Sequence, residues 1–334
     1  MSKNCIKNSI FFGYEYFKNN NCRYKRIMKG QLQYDNEFKT NNFGFVSHFD
    51  YELTKKNQNK KRAVVLGYSM AEGNYIPTNW PSAASDSTIE FYNFARAGYF
   101  NLNLQRLYFN VIKNFNFDYL LLPKIGTTDR QFMIFESREN GTFDGLFTNI
   151  PGSEDDYQNN YKSRLNLMYK YFSSEQNKGL FDDLIITKKN VDLFKRNFRM
   201  MGRKETSQFK KVRFNNELLN KYPQGLVDLI GERNINIYLK VIDHSLSNNA
   251  KIVFYQDPNK GESPEDSQKD LTYQLYTWLR GLYPERFYYF DGNDAFRNEG
   301  ISNTRPYYFK LDGHWNQKGS NIFARQISKF IKSI

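Results

Sequence analysis

Ser69 stands in a turn whose residue types could support nucleophilic chemistry. It follows a short apolar run, residues 63–66, within the sequence Gly-Tyr-Ser-Met-Ala-Glu-Gly at positions 67–73. A serine at the carboxyl end of an inner strand, on a turn flanked by glycines, lies where open α/β sheets place their chemistry. We therefore predict that Ser69 is a nucleophile.

A serine nucleophile needs a general base, commonly a histidine held by a carboxylate. The chain has three histidines: His48 lies in an irregular stretch, His244 lies beside Asp243 in a predicted helix, and His314 follows Asp312 by two residues. In the middle of a helix, adjacent side chains such as Asp243 and His244 point to different sides. In a loop that enters a helix, side chains two residues apart, such as Asp312 and His314, can point to the same place. We predict His314 as the base and Asp312 as its orienting acid, against the alternative of a helix-capping turn.

Acyl transfer also needs hydrogen-bond donors for the negative charge that develops on the carbonyl oxygen. The candidates are the backbone N–H groups of Ser69 and Gly98 and a polar group within the sequence Gly-Thr-Thr-Asp at positions 126–129. They follow successive predicted strands, and the carboxyl ends of parallel strands share one edge of a sheet. We expect them to meet the loop of Asp312 and His314 there.

Apolar runs alternate with helical periodicities in two parts of the chain, which predicts an α/β fold. The predicted strands are Ala63–Leu66, Thr88–Phe94, Tyr119–Pro123, Lys251–Tyr255 and Arg286–Phe290, and the predicted helices are Leu102–Asn114, Asn234–Leu246, Leu271–Leu282 and an amphipathic segment from Ile322 to the end. This order predicts a three-layer α/β/α sandwich with a mostly parallel, flavodoxin-like central sheet.

The domain organisation is predicted as one α/β domain over residues 1–334. Residues 1–60 are expected to form an irregular extension packed on it, with a turn at residues 41–45. Residues 130–233 are expected to form a basic, helical insertion or cap. Its segment from Lys188 to Arg213 is strongly basic, which suits either a solvated face or an acidic partner.

The composition limits the remaining function classes. The 334 residues carry a net charge of +13, which favours acidic partners, but no nucleic-acid-binding motif is present. The sequence shows no apolar run long enough to span a membrane and no signal peptide, so a cytoplasmic location is expected. Cys5 and Cys22 could form one disulfide, but two reduced thiols are expected there. Zinc-ligand spacing is absent.

Four short blocks in this order resemble the SGNH/GDSL hydrolase superfamily. Leu-Gly-Tyr-Ser at 66–69 stands where the family has Gly-Asp-Ser, and Asn-Phe-Ala-Arg-Ala-Gly at 93–98 resembles the block that ends in the oxyanion glycine. Gly-Thr-Thr-Asp at 126–129 is similar to Gly-x-Asn-Asp, and Asp-Gly-His-Trp-Asn at 312–316 is similar to the closing block. Residues 41–45 fit an Asn-x-x-Gly-Phe lead-in. The Asp-x-His-Trp form looks most like the branch that includes glycan O-acetylating and deacetylating proteins.

The resemblance covers about residues 40–130 and 235–334 and implies an SGNH-like fold. It implies a serine esterase or O-acyltransferase acting on acyl esters, with acetyl esters of a carbohydrate as the expected substrate, and it implies no metal or cofactor. The implied roles fall on these residues: Ser69, His314 and Asp312 as the catalytic triad, Ser69, Gly98 and Thr128 as the oxyanion hole, and Tyr68, Asp129 and Trp315 as substrate contacts.

Two positions depart from the family pattern. Tyr68 replaces the aspartate before the nucleophile, and Thr128 replaces the asparagine that donates to the oxyanion. A threonine hydroxyl can donate, but its reach differs from that of an amide. The alternative function is therefore a catalytically degenerate SGNH-fold module that binds an anionic glycan or another acidic partner.

Overall fold

The computed structural model describes residues 5–9, 13–99, 101–125, 229–261 and 271–334. The chain divides into two compact units. The first comprises Met1–Lys7, Glu15–Ile125 and Lys240–Ile334, and the second comprises Asn8–Tyr14 and Gly126–Leu239. The central sheet and the described site residues belong to the first unit, whereas the predicted site residues Thr128 and Asp129 fall in the second. The predicted insertion at 130–233 lies almost wholly outside the described residues.

The described elements alternate between strands and helices from residue 61 onward. The strands are β1 (Ile6–Ser9), β2 (Gly13–Tyr16), β3 (Asn21–Met28), β4 (Gln31–Lys39), β5 (Lys61–Val65), β6 (Ile89–Asn93), β7 (Tyr119–Pro123), β8 (Lys251–Gln256) and β9 (Phe287–Asp291). The helices are α1 (Ser69–Glu72), α2 (Trp80–Ala84), α3 (Asn101–Asn110), α4 (Leu229–Ser247), α5 (Leu271–Leu282), α6 (Gly292–Arg297) and α7 (Gln317–Ser333).

The last five strands form one parallel sheet in the order β6-β5-β7-β8-β9. Successive residues Val64 and Val65 point to opposite faces of β5, and both are fully buried, as are Leu120 and Leu121 of β7. A strand buried on both faces needs a continuous apolar run, and such runs in the sequence predict these strands. The predicted strands match the observed ones within two residues.

Helices cover both faces of this sheet. On one face, Trp80 of α2 packs against Phe323 of α7 and Tyr255 of β8, with ring centroids 5.1 and 5.6 Å apart. Helix α5 packs against β8 and β9, and Leu275 and Leu279 of α5 are fully buried. The arrangement confirms the predicted three-layer α/β/α class with a parallel central sheet.

The observed helix boundaries agree with the predicted ones for α5 but not for α7. The limits of α5 match the prediction, but α7 begins at Gln317, five residues before the predicted start, because the Asn316 side chain accepts hydrogen bonds from the N–H groups of Lys318 and Gly319. The short helices α2 and α6 carry too few residues to show a periodicity, and they were not predicted. Across the described ranges, no helix combines the length and apolar character required to cross a bilayer.

The prediction of an irregular N-terminal extension is wrong for residues 21–39. Strands β3 and β4 pair there as an antiparallel hairpin. Tyr34, Asn36 and Phe38 alternate inward on β4, whereas Ile27 and Leu32 near the tip are exposed. An inward asparagine and outward aliphatic residues blur the period of two by which a strand is recognised. The predicted turn at residues 41–45 is confirmed, because the Asn41 carbonyl accepts the N–H of Gly44.

The expectation of two reduced thiols is also wrong, because the structure joins Cys5 and Cys22 in a disulfide. The bond ties the segment before β1 to the start of β3. Disulfides persist mainly in oxidising compartments, and the cytoplasm is a reducing one. The expected cytoplasmic location stays a prediction.

We predict that reducing this disulfide lowers the free energy of unfolding by about 3 kcal/mol, because the bond closes a short loop in the unfolded chain. The measurement is urea unfolding with and without dithiothreitol. A Cys5→Ser/Cys22→Ser double variant should match the reduced protein and should not respond to dithiothreitol. Two free thiols in the denatured, unreduced protein would contradict the bond.

Candidate active site

Ser69 is the first residue of α1 and follows the end of β5 by four residues. Tyr68 precedes the helix in an extended conformation, and its hydroxyl donates to Asn101 Oδ1 of α3 at 2.7 Å. As the first helical residue, Ser69 has a backbone N–H that no carbonyl within α1 can accept. The half-buried Ser69 thus carries, at the carboxyl edge of the sheet, a hydroxyl and a helical N–H that α1 itself leaves unpaired.

The turn before Ser69 has no room for a side chain at Gly67. A Cβ atom there would lie 2.9 Å from Ala71 Cβ and well inside van der Waals contact with the Tyr255 hydroxyl. That hydroxyl donates to the Leu66 carbonyl at 2.8 Å. Tyr255 of β8 thereby supports the end of β5 from two strands away, and Gly67 allows that close approach.

Gly98 lies in the loop after β6, next to the Ser69 turn. The Arg96 N–H in this loop donates to the Gly67 carbonyl at 3.2 Å, and the Asn93 side chain donates to the Ala71 carbonyl at 2.9 Å. Gly98 is exposed and has φ of 72°, a left-handed conformation that favours glycine. Residues 93–98 are therefore hydrogen-bonded to both ends of the nucleophile turn.

Glu72 is a fully buried carboxyl group three residues after Ser69. Burial raises its pKa to about 7, although the Arg96 guanidinium, the Tyr16 hydroxyl and the Ala97 N–H favour the ionised form. The Arg96 guanidinium also donates to the Gly44 carbonyl at 2.7 Å and lies over the Phe45 ring, 4.4 Å from its centroid. Residues 41–45, which fit the Asn-x-x-Gly-Phe pattern, therefore pack against the loop of Gly98 through Arg96.

Asp312 and His314 form a contacting pair in the loop before α7. Asp312 Oδ1 bonds the His314 ring at Nδ1 and accepts the His314 backbone N–H at 3.1 Å. The Asp312 side chain is 4% exposed and the His314 side chain 20%. A carboxylate on Nδ1 fixes the ring and leaves Nε2 directed away from it, which is the arrangement a general base requires.

The second oxygen of Asp312 is occupied by residues of the β3–β4 hairpin. Arg26 Nε lies 3.1 Å from Asp312 Oδ2, and the Tyr34 hydroxyl donates to the same oxygen at 3.3 Å. Partial burial favours the neutral acid, but the His314 ring and backbone together with Arg26 outweigh it and lower the pKa of Asp312 to about 2. The carboxylate is ionised at neutral pH.

The loop of His314 contacts Tyr75 and Thr78, which lie in the segment after the turn of Ser69. The Tyr75 ring lies 4.6 Å from the His314 ring, and the Tyr75 hydroxyl lies 3.6 Å from Met70 Sδ. The Gln317 side chain exchanges hydrogen bonds of 2.8 and 2.9 Å with the backbone of Thr78.

The order of the strands limits how far the loop of His314 can lie from the turn of Ser69. Lys260, just after β8, donates to the Asp312 carbonyl at 2.7 Å and so places this loop at the carboxyl end of β8. Only β7 separates β8 from β5, so the two strand ends lie about 10 Å apart. Side chains from these ends can approach each other across that gap.

The remaining predicted site residues have mixed outcomes. Trp315 is fully buried and packs on Phe323 with ring centroids 5.0 Å apart, and its role as a substrate contact stays a prediction. A large apolar ring beside a site residue can equally anchor the loop in the core, which is what Trp315 does. Tyr68 remains a candidate, since it adjoins Ser69. Thr128 and Asp129 lie outside the described residues.

The other histidines are placed elsewhere. His244 lies in α4 with Nδ1 2.9 Å from the Tyr108 hydroxyl. His48 is exposed and, with Phe49 and Tyr92, lines a cavity of about 630 Å³ beside edge strand β6. The Lys60 and Arg62 side chains at this cavity pair with Glu90. None of the candidate active-site residues lines it.

Sequence reasoning missed four residues around the pair. Arg26 and Tyr34 are distant in sequence and come from a hairpin that was not predicted. Tyr75 and Asp257 are single residues without a motif, although Asp257 directly follows the observed strand β8. Burial raises the pKa of Asp257 to about 7, and its Oδ1 has no hydrogen-bond partner among the described residues.

These observations define the described part of the chain as an α/β protein with Ser69 and an Asp312–His314 pair at the carboxyl edge of its parallel sheet. No protein-family model matches the chain, and neither does any curated protein.

Similar solved structures include a variant of Axe2, an acetylxylan esterase from Geobacillus stearothermophilus, at 12% identity, with 83% of this chain and 96% of that chain covered and a TM-score of 0.38. A GDSL-like lipase from Bacteroides thetaiotaomicron matches at 10% identity, 83% and 90% coverage and a TM-score of 0.37. LAE5, an alpha/beta hydrolase from the Lake Arreo metagenome, matches at 10% identity, 80% and 93% coverage and a TM-score of 0.40. Similarities this distant establish neither a family nor an activity for the chain.

We predict that Gly67→Ala lowers the free energy of unfolding by about 1–3 kcal/mol, because the added methyl group overpacks the turn against Tyr255 and Ala71. Urea unfolding measures this loss, and adding Tyr255→Phe should recover part of it. The matched control is Gly281→Ala in α5, where a Cβ atom meets nothing within 4 Å. Equal effects of the two alanines would contradict the packing.

We predict a pH-dependent stability term from Glu72. Its pKa is about 7 in the folded protein against an ordinary value of 4.5, so the folded state binds the proton more tightly. This contribution is complete below pH 4.5 and is lost as the pH rises through 7, a difference of about 3 kcal/mol.

The measurement is urea unfolding of the wild type and of Glu72→Gln at pH 4.5 and pH 8. The stability of the variant relative to the wild type should rise between these two values. Glu285→Gln, at an exposed position, serves as the control and should track the wild type. Parallel behaviour of all three proteins would show that Glu72 titrates normally.

Proposed function

We propose that the chain is a serine esterase of the SGNH type, with Ser69 as nucleophile, His314 as general base and Asp312 as the group that orients His314. The observation that carries the proposal is the contact between Asp312 Oδ1 and His314 Nδ1. The His314 ring also packs against Tyr75, whose hydroxyl lies near Met70, the residue after Ser69. A helix-capping turn alone would not need a buried carboxylate held on both oxygens.

In the proposed reaction, Ser69 Oγ attacks the acyl carbonyl while His314 Nε2 takes the hydroxyl proton. The backbone N–H groups of Ser69 and Gly98, with Thr128, donate to the oxyanion. The tetrahedral intermediate collapses when His314 returns the proton to the leaving alcohol, and an acyl group remains on Ser69. His314 then deprotonates the incoming water, which releases the acid and regenerates the serine.

An acetylated carbohydrate is the proposed substrate, on the strength of the Asp-x-His-Trp form of the closing block. A sugar hydroxyl in place of water would accept the acyl group, and the same residues would then catalyse O-acyl transfer. The two outcomes share the acyl-enzyme, so both require Ser69. Hydrolysis is the activity to test first because it needs no second substrate.

We predict that the protein hydrolyses 4-nitrophenyl acetate and that Ser69→Ala lowers kcat/KM at least about a thousandfold. Asp312→Asn should lower kcat by about 10³–10⁴, because the ring then loses its orienting charge. A fluorophosphonate probe should label Ser69, as mapped by mass spectrometry.

Matched controls are available for both variants. Ser87→Ala changes an exposed serine, and His48→Gln changes an exposed histidine, whereas His314→Gln should match Ser69→Ala. The proposal fails if no probe labels the protein and if acetylated substrates are bound but not turned over. Binding without turnover would support the alternative, a degenerate module for an acidic or acetylated glycan.

A further inference from the structure

The β3–β4 hairpin delivers two side chains to the carboxylate that holds His314. Arg26 of β3 and Tyr34 of β4 are directly opposite each other in the antiparallel ladder. Both end at Asp312 Oδ2, at 3.1 Å from Arg26 Nε and 3.3 Å from the Tyr34 hydroxyl. Residues opposite each other in such a ladder project to the same face. The cross-strand pair of Arg26 and Tyr34 can therefore bind the same oxygen, Asp312 Oδ2.

The hairpin is fixed to the loop of Asp312 by contacts that do not involve the carboxylate. Gln33 Oε1 accepts the backbone N–H of Leu311 at 2.8 Å. The Tyr34 ring packs against Tyr75 and Phe309, with centroids 5.5 and 5.1 Å apart. The pairing of β3 and β4 is irregular between Arg26 and Ile27, and such bulges redirect the neighbouring side chains.

We propose that Arg26 is a positioning residue for the general base: its guanidinium holds the second oxygen of Asp312, which fixes the carboxylate against His314 and weakens proton uptake by the ring. The inference rests on the proposed esterase function for its kinetic consequence. The contact itself is independent of turnover. Arg26 is not placed against substrate, and its action passes through Asp312.

Charge explains the effect on the ring. Asp312 stabilises a protonated His314, and a second cation at the same carboxylate competes with that stabilisation. Arg26 supplies this cation at Oδ2, and Lys260 adds another beside the Asp312 carbonyl. A protonated His314 would be the second positive group in contact with the Asp312 carboxylate, after Arg26. Without Arg26 the ring should therefore hold its proton to higher pH.

The other ionisable groups nearby act differently. Tyr24 hydrogen-bonds Arg26, and burial raises the pKa of Tyr34 far above its usual 10, so the Tyr34 hydroxyl stays protonated and donates. The Tyr75 ring is tilted against the His314 ring by 50°, and burial raises the pKa of Tyr75 well above its usual 10, so its hydroxyl stays protonated. Asp257 faces Tyr75 and Tyr308 and titrates near pH 7. Its titration overlaps the window of interest, so the imidazole itself must be observed.

The experiment measures the His314 imidazole titration by NMR together with the pH profile of 4-nitrophenyl acetate hydrolysis. Only three histidines contribute signals, and His314→Gln identifies the relevant one. Arg26→Met should raise the titration midpoint by about 0.5–1 pH unit, the size expected for one partly exposed charge. The acid limb of kcat/KM should move by the same amount, and kcat above that limb should fall about tenfold with KM unchanged.

Arg26→Lys separates charge from geometry. A lysine keeps the positive charge but not the planar fork, so the titration midpoint should stay near that of the wild type while kcat remains lowered. Tyr34→Phe removes only one neutral donor and should lower kcat without moving the midpoint. If Arg26→Met fails to fold, the kcat of Tyr34→Phe still tests whether the hairpin positions the Asp312 carboxylate.

Arg23→Met is the matched control. Arg23 lies on the same strand and pairs with exposed Asp35 at 2.6 Å, away from Asp312. It removes the same charge from the same hairpin and should leave both the midpoint and kcat unchanged. If Arg26→Met behaves like Arg23→Met, the positioning role is wrong even where Ser69→Ala is inactive. If the midpoint moves but Ser69→Ala retains full activity, the esterase function is wrong and the control of His314 by Arg26 stands.

Discussion

The Asp312 carboxylate is the group on which the arrangement of the candidate site depends. One oxygen binds the His314 ring and backbone, and the other receives Arg26 and Tyr34. A buried carboxylate is costly unless its oxygens are satisfied, and here each oxygen is satisfied by a different part of the chain. The Asp312 carboxylate is therefore bonded both by the loop before α7 and by the N-terminal hairpin.

Ionisable groups with raised pKa values lie around the same edge of the sheet. Glu72 and Asp257 both have pKa values raised to about 7 by burial, and they flank the turn of Ser69 and the loop of His314. Such groups lower stability at neutral pH, and perturbed carboxyls cluster at functional sites more often than elsewhere. The carboxyl edge of the sheet therefore carries two carboxyl groups, Glu72 and Asp257, that are not needed for packing the core.

The hairpin changes how the triad-like pair should be understood. In an isolated Asp–His pair the carboxylate is free to rotate and serves only the ring. Here the cross-strand pair of Arg26 and Tyr34 restrains that rotation and adds a competing charge. The proposed base is consequently set by three segments that are remote in sequence, and a comparison limited to the four short motif blocks would omit one of them.

The sequence by itself determined the α/β class, the five inner strands and the placement of Ser69, Gly98 and the Asp312–His314 loop after strands or before a helix. These follow from local rules: strands buried on both faces are continuous apolar runs, and turns need glycine at fixed places. Tertiary structure alone decided that Trp315 is core, that Cys5 meets Cys22 and that Arg26 and Tyr34 reach Asp312. Tyr34 and Asp312 are 278 positions apart in the sequence, and the periodicity of one segment carries no information about which distant segment will satisfy its charge.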